Sequence, residues 1–206
     1  MTTSSASLEH AHEHESHGLE LHVRVARARA CSLMFILSDV LSVFAILAAG
    51  GYLSALNTEG QFRAAGDNPA AFLPGLLIAI ALVLSGLGYY WWDRRLRQGG
   101  ATGQQLFFVL SWVLMIAAMV GQTWISVTLN RAYTTPYDAY ESVITLLSWF
   151  TAVHLLLTAF LGLLLFGRGL RGRLVGFEYL VQAAGYWWYY TVIASLLMWL
   201  FSMLLS

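Results

Sequence analysis

The sequence predicts an all-α polytopic membrane protein: a bundle of five transmembrane helices, with the N-terminus in the cytoplasm and the C-terminus outside. Three observations carry this. Of 206 residues, 58% are hydrophobic and 11% charged, against about 25% charged in a soluble domain. Five apolar segments each come near the roughly 20 residues that cross about 30 Å of hydrocarbon. Their apolar runs are continuous rather than alternating, which fits helices and not an outer-membrane barrel.

Residues 1–23 are polar, with Ser and Thr first and then a His/Glu run. No charged region leads into a short apolar stretch and a small-residue cleavage site, so they read as a mobile tail rather than a signal peptide. Residues 24–206 form the membrane domain, with helices expected at about 32–54, 72–92, 105–128, 141–166 and 179–205. Turn chemistry separates them: Gly60, Gly66 and Asn68-Pro69, then Gly99-Gly100, then Pro136, then the Gly/Arg-rich stretch 167–176. No loop is long enough for a soluble domain.

The arginines set the direction. All 11 basic residues are Arg. Arg24, Arg27 and Arg29 precede helix one, Arg94, Arg95 and Arg97 follow helix two, and Arg168, Arg171 and Arg173 follow helix four. A cytoplasmic N-terminus puts all nine inside and leaves Arg63 and Arg131 outside, as the positive-inside rule requires. Trp91, Trp92, Trp124 and Trp149 stand near helix ends, as an aromatic belt requires.

Polar residues inside the spans are the candidate sites. Asp39 lies about two turns into helix one. A carboxylate there is costly and faces the bundle interior, either pairing structurally or with lipid, or handling a proton or substrate. His154, mid-helix four, is either a hydrogen-bonded packing residue or a ligand. Gln122, Thr123, Ser148 and Thr151 are interhelical hydrogen-bonders. Glu178 starts helix five, where the helix dipole favours an acid. Ala48-Ala49-Gly50-Gly51, Ser85-Gly86 with Gly88, and Ala117-Ala118 with Gly121 permit close helix contact. Cys31, the sole cysteine, excludes an intrachain disulfide and a cysteine-based cluster and reads as a small buried hydrophobe.

Several classes are disfavoured. His154 is the one histidine within a span, so the chain alone holds neither bis-His haem nor a multi-His copper site. There is no P-loop or dinucleotide fingerprint. Zero net charge gives no field for nucleic acid. The tail residues His10, His12, His14 and His17, with His22 and neighbouring glutamates, are weak metal candidates whose spacing matches no defined site.

The spans resemble subunit III of haem–copper terminal oxidases in its short five-helix form. Leu33-Met34-Phe35-Ile36-Leu37-Ser38-Asp39-Val40 is similar to that family's W-x-F-L-x-S-E-V stretch, with Asp39 at the helix carboxylate. Asn68-Pro69, Leu73-Pro74 and Leu84-Ser85-Gly86 resemble its N-P, L-P and S-S-G sequence. Gln122 falls where Q-x-x-E-Y begins, with Ile125 and Ser126 in place of Glu and Tyr. Phe150-Thr151-Ala152-Val153-His154 matches F-H-G-L-H at its second His, with Thr151 at the first. Tyr186-Trp187-Trp188-Tyr189-Tyr190-Thr191 is similar to Y-W-H-F-V-D, with Trp188 for His and Thr191 for Asp. Glu178 follows Gly176-Phe177 as in G-F-E, about one turn early.

The resemblance implies an accessory, non-catalytic subunit of a cytochrome c or quinol oxidase in a bacterial cytoplasmic membrane. Such a subunit holds no cofactor of its own. Haem and copper belong to partner subunits, and the chain packs against catalytic subunit I and subunit II and binds phospholipid between its helices. Asp39, His154, Glu178, Gln122 and Trp187 are then the polar candidates of that lipid cleft. Three alternatives stay open: the related accessory protein of a nitric oxide reductase, a small metal transporter or sensor using the His-rich tail, and a stand-alone structural membrane protein.

Overall fold

A computed structural model describes residues 4–57, 62, 72–98, 104–132, 139–171 and 178–206, with side chains in 22–57, 62, 72–98, 105–129, 139–171 and 178–206. Five helices follow in order: α1 (Ser4–Ala55), α2 (Phe72–Arg97), α3 (Gln104–Ala132), α4 (Ala139–Leu170) and α5 (Glu178–Leu205). All five are long and apolar enough to cross a membrane. At 1.5 Å per residue, the 26 residues of α2 reach about 39 Å, longer than the hydrocarbon core, so its ends reach the interface.

The helices run past the apolar segments. The polar residues expected as a mobile tail instead continue α1 back to Ser4. The Glu, His, Ala, Leu and Arg residues there tolerate helix, and no proline separates them from the apolar run. Likewise α2 extends to Arg97, with Arg94, Arg95 and Arg97 in the last turn, where the dipole favours cations. Pro74 sits in the first turn of α2, where no intrahelical donor is lost.

Long-range hydrogen bonds fix the order of ends. Ser32 on α1 donates to the Ala183 carbonyl on α5 (3.3 Å), Tyr89 on α2 to the Val181 carbonyl (2.7 Å), and Trp112 on α3 to the Ala159 carbonyl on α4 (2.9 Å). The start of α1, end of α2, start of α3, end of α4 and start of α5 therefore share one end of the bundle. Among the described side chains, all eight arginines lie at that end: Arg24, Arg27, Arg29, Arg94, Arg95, Arg97, Arg168 and Arg171. At the other end, Phe62 from the first connection ties to the start of α4. Its carbonyl accepts from the Tyr140 amide (3.0 Å), and its ring meets Tyr140 edge-on.

The densest packing is between α2 and α3, and α2 also packs on α5. Ser85 donates to the Ser111 carbonyl (2.8 Å), Ser111 to the Ser85 carbonyl (2.5 Å), and the Trp188 indole to Ser85 Oγ (3.1 Å). A methyl group at Gly88 would lie 3.1 Å from Ser111 Cβ and 3.4 Å from the Phe107 carbonyl, so glycine allows this approach. Tyr89 stacks on Trp188 with centroids 4.7 Å apart. Trp92, expected in the aromatic belt, turns inward against Phe108 and is buried, whereas Trp91 and Trp124 are exposed as a belt requires. Cys31, expected buried, is exposed. It lines the open space between α1, α4 and α5 instead of a packed core.

Candidate functional site

Three helices bring their polar residues to one point near mid-membrane. His154 on α4 places Nε2 2.5 Å from Asp39 Oδ2 on α1, and the Tyr190 hydroxyl on α5 donates to the same oxygen. The other imidazole nitrogen, Nδ1, lies 2.7 Å from the Phe150 carbonyl one turn earlier on α4. His154 is 3% exposed and the Asp39 side chain 19%.

The proton inventory follows from donors and acceptors. A carbonyl only accepts, so His154 Nδ1 carries a hydrogen toward Phe150. The 2.5 Å contact between Nε2 and Oδ2 must then hold a second proton, because a bare nitrogen lone pair against a carboxylate would repel. Whether the proton is drawn on nitrogen or oxygen, the pair is neutral overall. That neutrality makes the cluster tolerable in hydrocarbon, where an isolated carboxylate is costly.

Aromatic rings enclose the imidazole. Trp187 lies nearly parallel to it (centroids 5.6 Å, 11°), and Phe150 lies 4.5 Å away. Phe35 of α1 packs on the far side of Trp187 at 4.9 Å. Trp187 and Tyr190 are three residues apart on α5 and so share the face that meets Asp39 and His154. A face-on indole attracts an imidazole carrying positive charge.

Of the five sequence candidates, Asp39, His154 and Trp187 come together. Gln122 does not join them. It donates to Ser148 Oγ (3.0 Å), which also shares a 2.7 Å hydrogen bond with Ser126, and so ties α3 to α4. Glu178 opens α5 at the arginine end, exposed, where the helix N-terminus favours a carboxylate. It stands 12 residues, about 18 Å, from Tyr190. The side chains of His10, His12, His14 and His17 lie outside the described residues. Among the described residues, no group of three His, Cys, Asp or Glu side chains converges as a metal site would. The sequence reading did not single out Tyr190; its spacing from Trp187 was the available signal.

A cleft of about 560 Å³ opens between α1, α4 and α5 on the arginine side of the cluster. Its walls are Cys31, Phe35, Leu161, Leu164 and Ala184, with Arg168 at the rim and Trp187 as the floor. Trp187 is the one sequence candidate on its lining. Asp39 and His154 are engaged with each other behind the indole, so the cleft wall is apolar rather than ionic.

Three positions at which the resemblance expects a charged or imidazole group, Thr151, Trp188 and Thr191, hold neutral hydrogen-bonders, and Ile125 stands where it expects a glutamate. Trp188 reaches Ser85. Thr191 shares a 2.8 Å hydrogen bond with Thr158, and Thr151 donates to the Leu147 carbonyl (2.8 Å). No family model matches this chain, and no curated protein matches it.

Proposed function

We propose that this chain is a cofactor-free accessory subunit of a bacterial respiratory haem–copper oxidase, of the subunit III kind. In this reading it packs against the catalytic subunits, which hold the haem and copper, and it stabilises them and holds phospholipid. One observation carries the reading. The carboxylate of helix one and the histidine of helix four, the two polar positions that best match the subunit III pattern, meet each other across 115 residues of sequence. The apolar cleft beside them supports lipid binding: it is wide enough for acyl chains, and its rim holds a guanidinium that attracts an anionic headgroup. The clustering of eight arginines at one end supports a cytoplasmic N-terminus.

Purification through this chain in mild detergent, followed by mass spectrometry and a redox difference spectrum, tests the proposal. Stoichiometric recovery of larger subunits with haem–copper absorbance and oxygen reduction is the expected result. Recovery with a nitric oxide-reducing complex, or of the chain alone, overturns it.

A further inference from the structure

We infer that the bundle holds a small water-filled inlet, separate from the apolar cleft, that runs from the end bearing the C-terminus to within one turn of His154. A cavity of about 50 Å³ lies between α2, α3, α4 and α5. Between apolar side chains such as Leu147 and Met198, a run of polar groups lines it: Ser202 near the end of α5, then Trp199, Ser195, Gln122, Ser148 and Thr151. Thr151 precedes His154 by three residues on α4, a rise of about 4.5 Å.

Two features identify the occupant as water. The first is unmet hydrogen-bonding demand. Ser195 is 3% exposed and its Oγ has no partner among the described residues, and the buried Trp199 indole nitrogen likewise has none. Buried polar groups are almost always paired with protein or ordered water. Gly75 lines the same cavity, and a methyl group there would collide with the Nε1 edge of Trp199. The indole N–H edge therefore lies against the glycine at the cavity wall. The hydroxyls of Ser148, Thr151 and Ser202 donate to other partners and keep lone pairs for a further donor.

The second feature is size. A cavity needs about 10–15 Å³ to hold a water, so one of about 50 Å³ has room for a few. An acyl chain does not fit, in contrast to the 560 Å³ cleft on the far side of Trp187. The two spaces thus divide by chemistry: hydrocarbon on the arginine side of the cluster, water on the opposite side. The inlet brings water close to a residue pair that holds a shared proton. The inference does not depend on assignment to an oxidase.

The test compares two indoles in one molecule. Trp187 and Trp199 both bury an N–H without a partner among the described residues, but Trp187 lines the large apolar cleft and Trp199 the small inlet with its serine and threonine hydroxyls. The full-length chain in lipid nanodiscs is moved into D2O and the two indole N–H signals, assigned by Trp→Phe variants, are followed by NMR. Exchange at Trp199 at least tenfold faster than at Trp187 is expected; equal or slower exchange at Trp199 overturns the inlet. A second measurement uses thiol chemistry. In a Cys31→Ser background, Ser195→Cys and the lipid-facing Leu197→Cys are exposed to methyl methanethiosulfonate, which reacts with the thiolate formed in water. At least tenfold faster modification at position 195 is expected, and equal rates overturn the proposal.

Discussion

Helix α1 and helix α2 both pack on α5, but α2 is also joined closely to α3, whereas α1 has only a slight second contact, with α4. Helix α2 meets α3 and α5 along a seam of small and aromatic residues, where Ser85, Ser111 and Trp188 bond reciprocally and Tyr89 is sealed from solvent and lipid. Helix α1 lies at the edge. Met34, Phe44 and Leu41 face outward, while its inner face follows α5 from Ser32 at Ala183, through Phe35 on Trp187 and the Asp39 cluster, to Val43 and Gly50 beside Phe201. In hydrocarbon, apolar contact between helices gains little over contact with lipid tails. Close packing can hold α2 because its seam is long and fitted. An edge helix needs a polar fastening, and Asp39 supplies it. The apolar cleft opens where α1 stays on α5 but departs from α4, and that gap creates the space for a lipid.

Breaking the fastening has the largest expected effect. Asp39→Leu leaves the His154 imidazole and the Tyr190 hydroxyl without their shared acceptor. A membrane hydrogen bond is worth about 1–2 kcal/mol in model peptides, and this change removes two, from His154 and from Tyr190. We expect about 3 kcal/mol lost in unfolding from mixed micelles, together with increased proteolysis of α1 while α2–α5 stay protected. Uniform loss of protection in all five helices would contradict the division between edge and core.

Overpacking the core comes next. At Gly162, a methyl group would lie 2.7 Å from the Trp112 indole nitrogen, so Gly162→Ala displaces that ring and breaks its bond to the Ala159 carbonyl. The expected cost is about 1–3 kcal/mol, with the attachment of α1 unchanged in the same proteolysis assay. Ser85→Ala removes one hydroxyl that both donates to Ser111 and accepts from Trp188; about 1–2 kcal/mol is expected by the same unfolding measurement. The smallest effect belongs to the arginine end. Arg97 pairs with Asp93 one turn away at 2.6 Å, but half of its side chain is exposed. Arg97→Ala should cost about 0.3–0.5 kcal/mol and less at high salt.

The spans were legible because hydrocarbon demands continuous apolar runs, and all five helices include the expected segments. Their ends were less legible. Hydropathy reports where the bilayer is, whereas helices such as α1 and α2 continue into polar sequence. Asp39 and His154 were each legible as inward-facing because a lipid-facing ionisable group is too costly. Their meeting was not, since it depends on the register of α1 against α4, which no local pattern encodes. Attention to the residues that replace charged positions, Trp188 and Thr191, passed over Tyr190 beside them. Cys31 was misplaced because it faces the open cleft, and Trp92 because nearness to a helix end does not say which face of the helix a ring takes.

The central claim is that Asp39 and His154 act as one unit holding α1. A double-mutant cycle with Asp39→Leu, His154→Leu and the pair, read as unfolding free energy in the same micelles, tests it directly. Each single change leaves a polar partner stranded and the double change strands less, so the double variant should cost little more than either single one, with a coupling of at least about 1 kcal/mol. Costs that simply add would contradict the account.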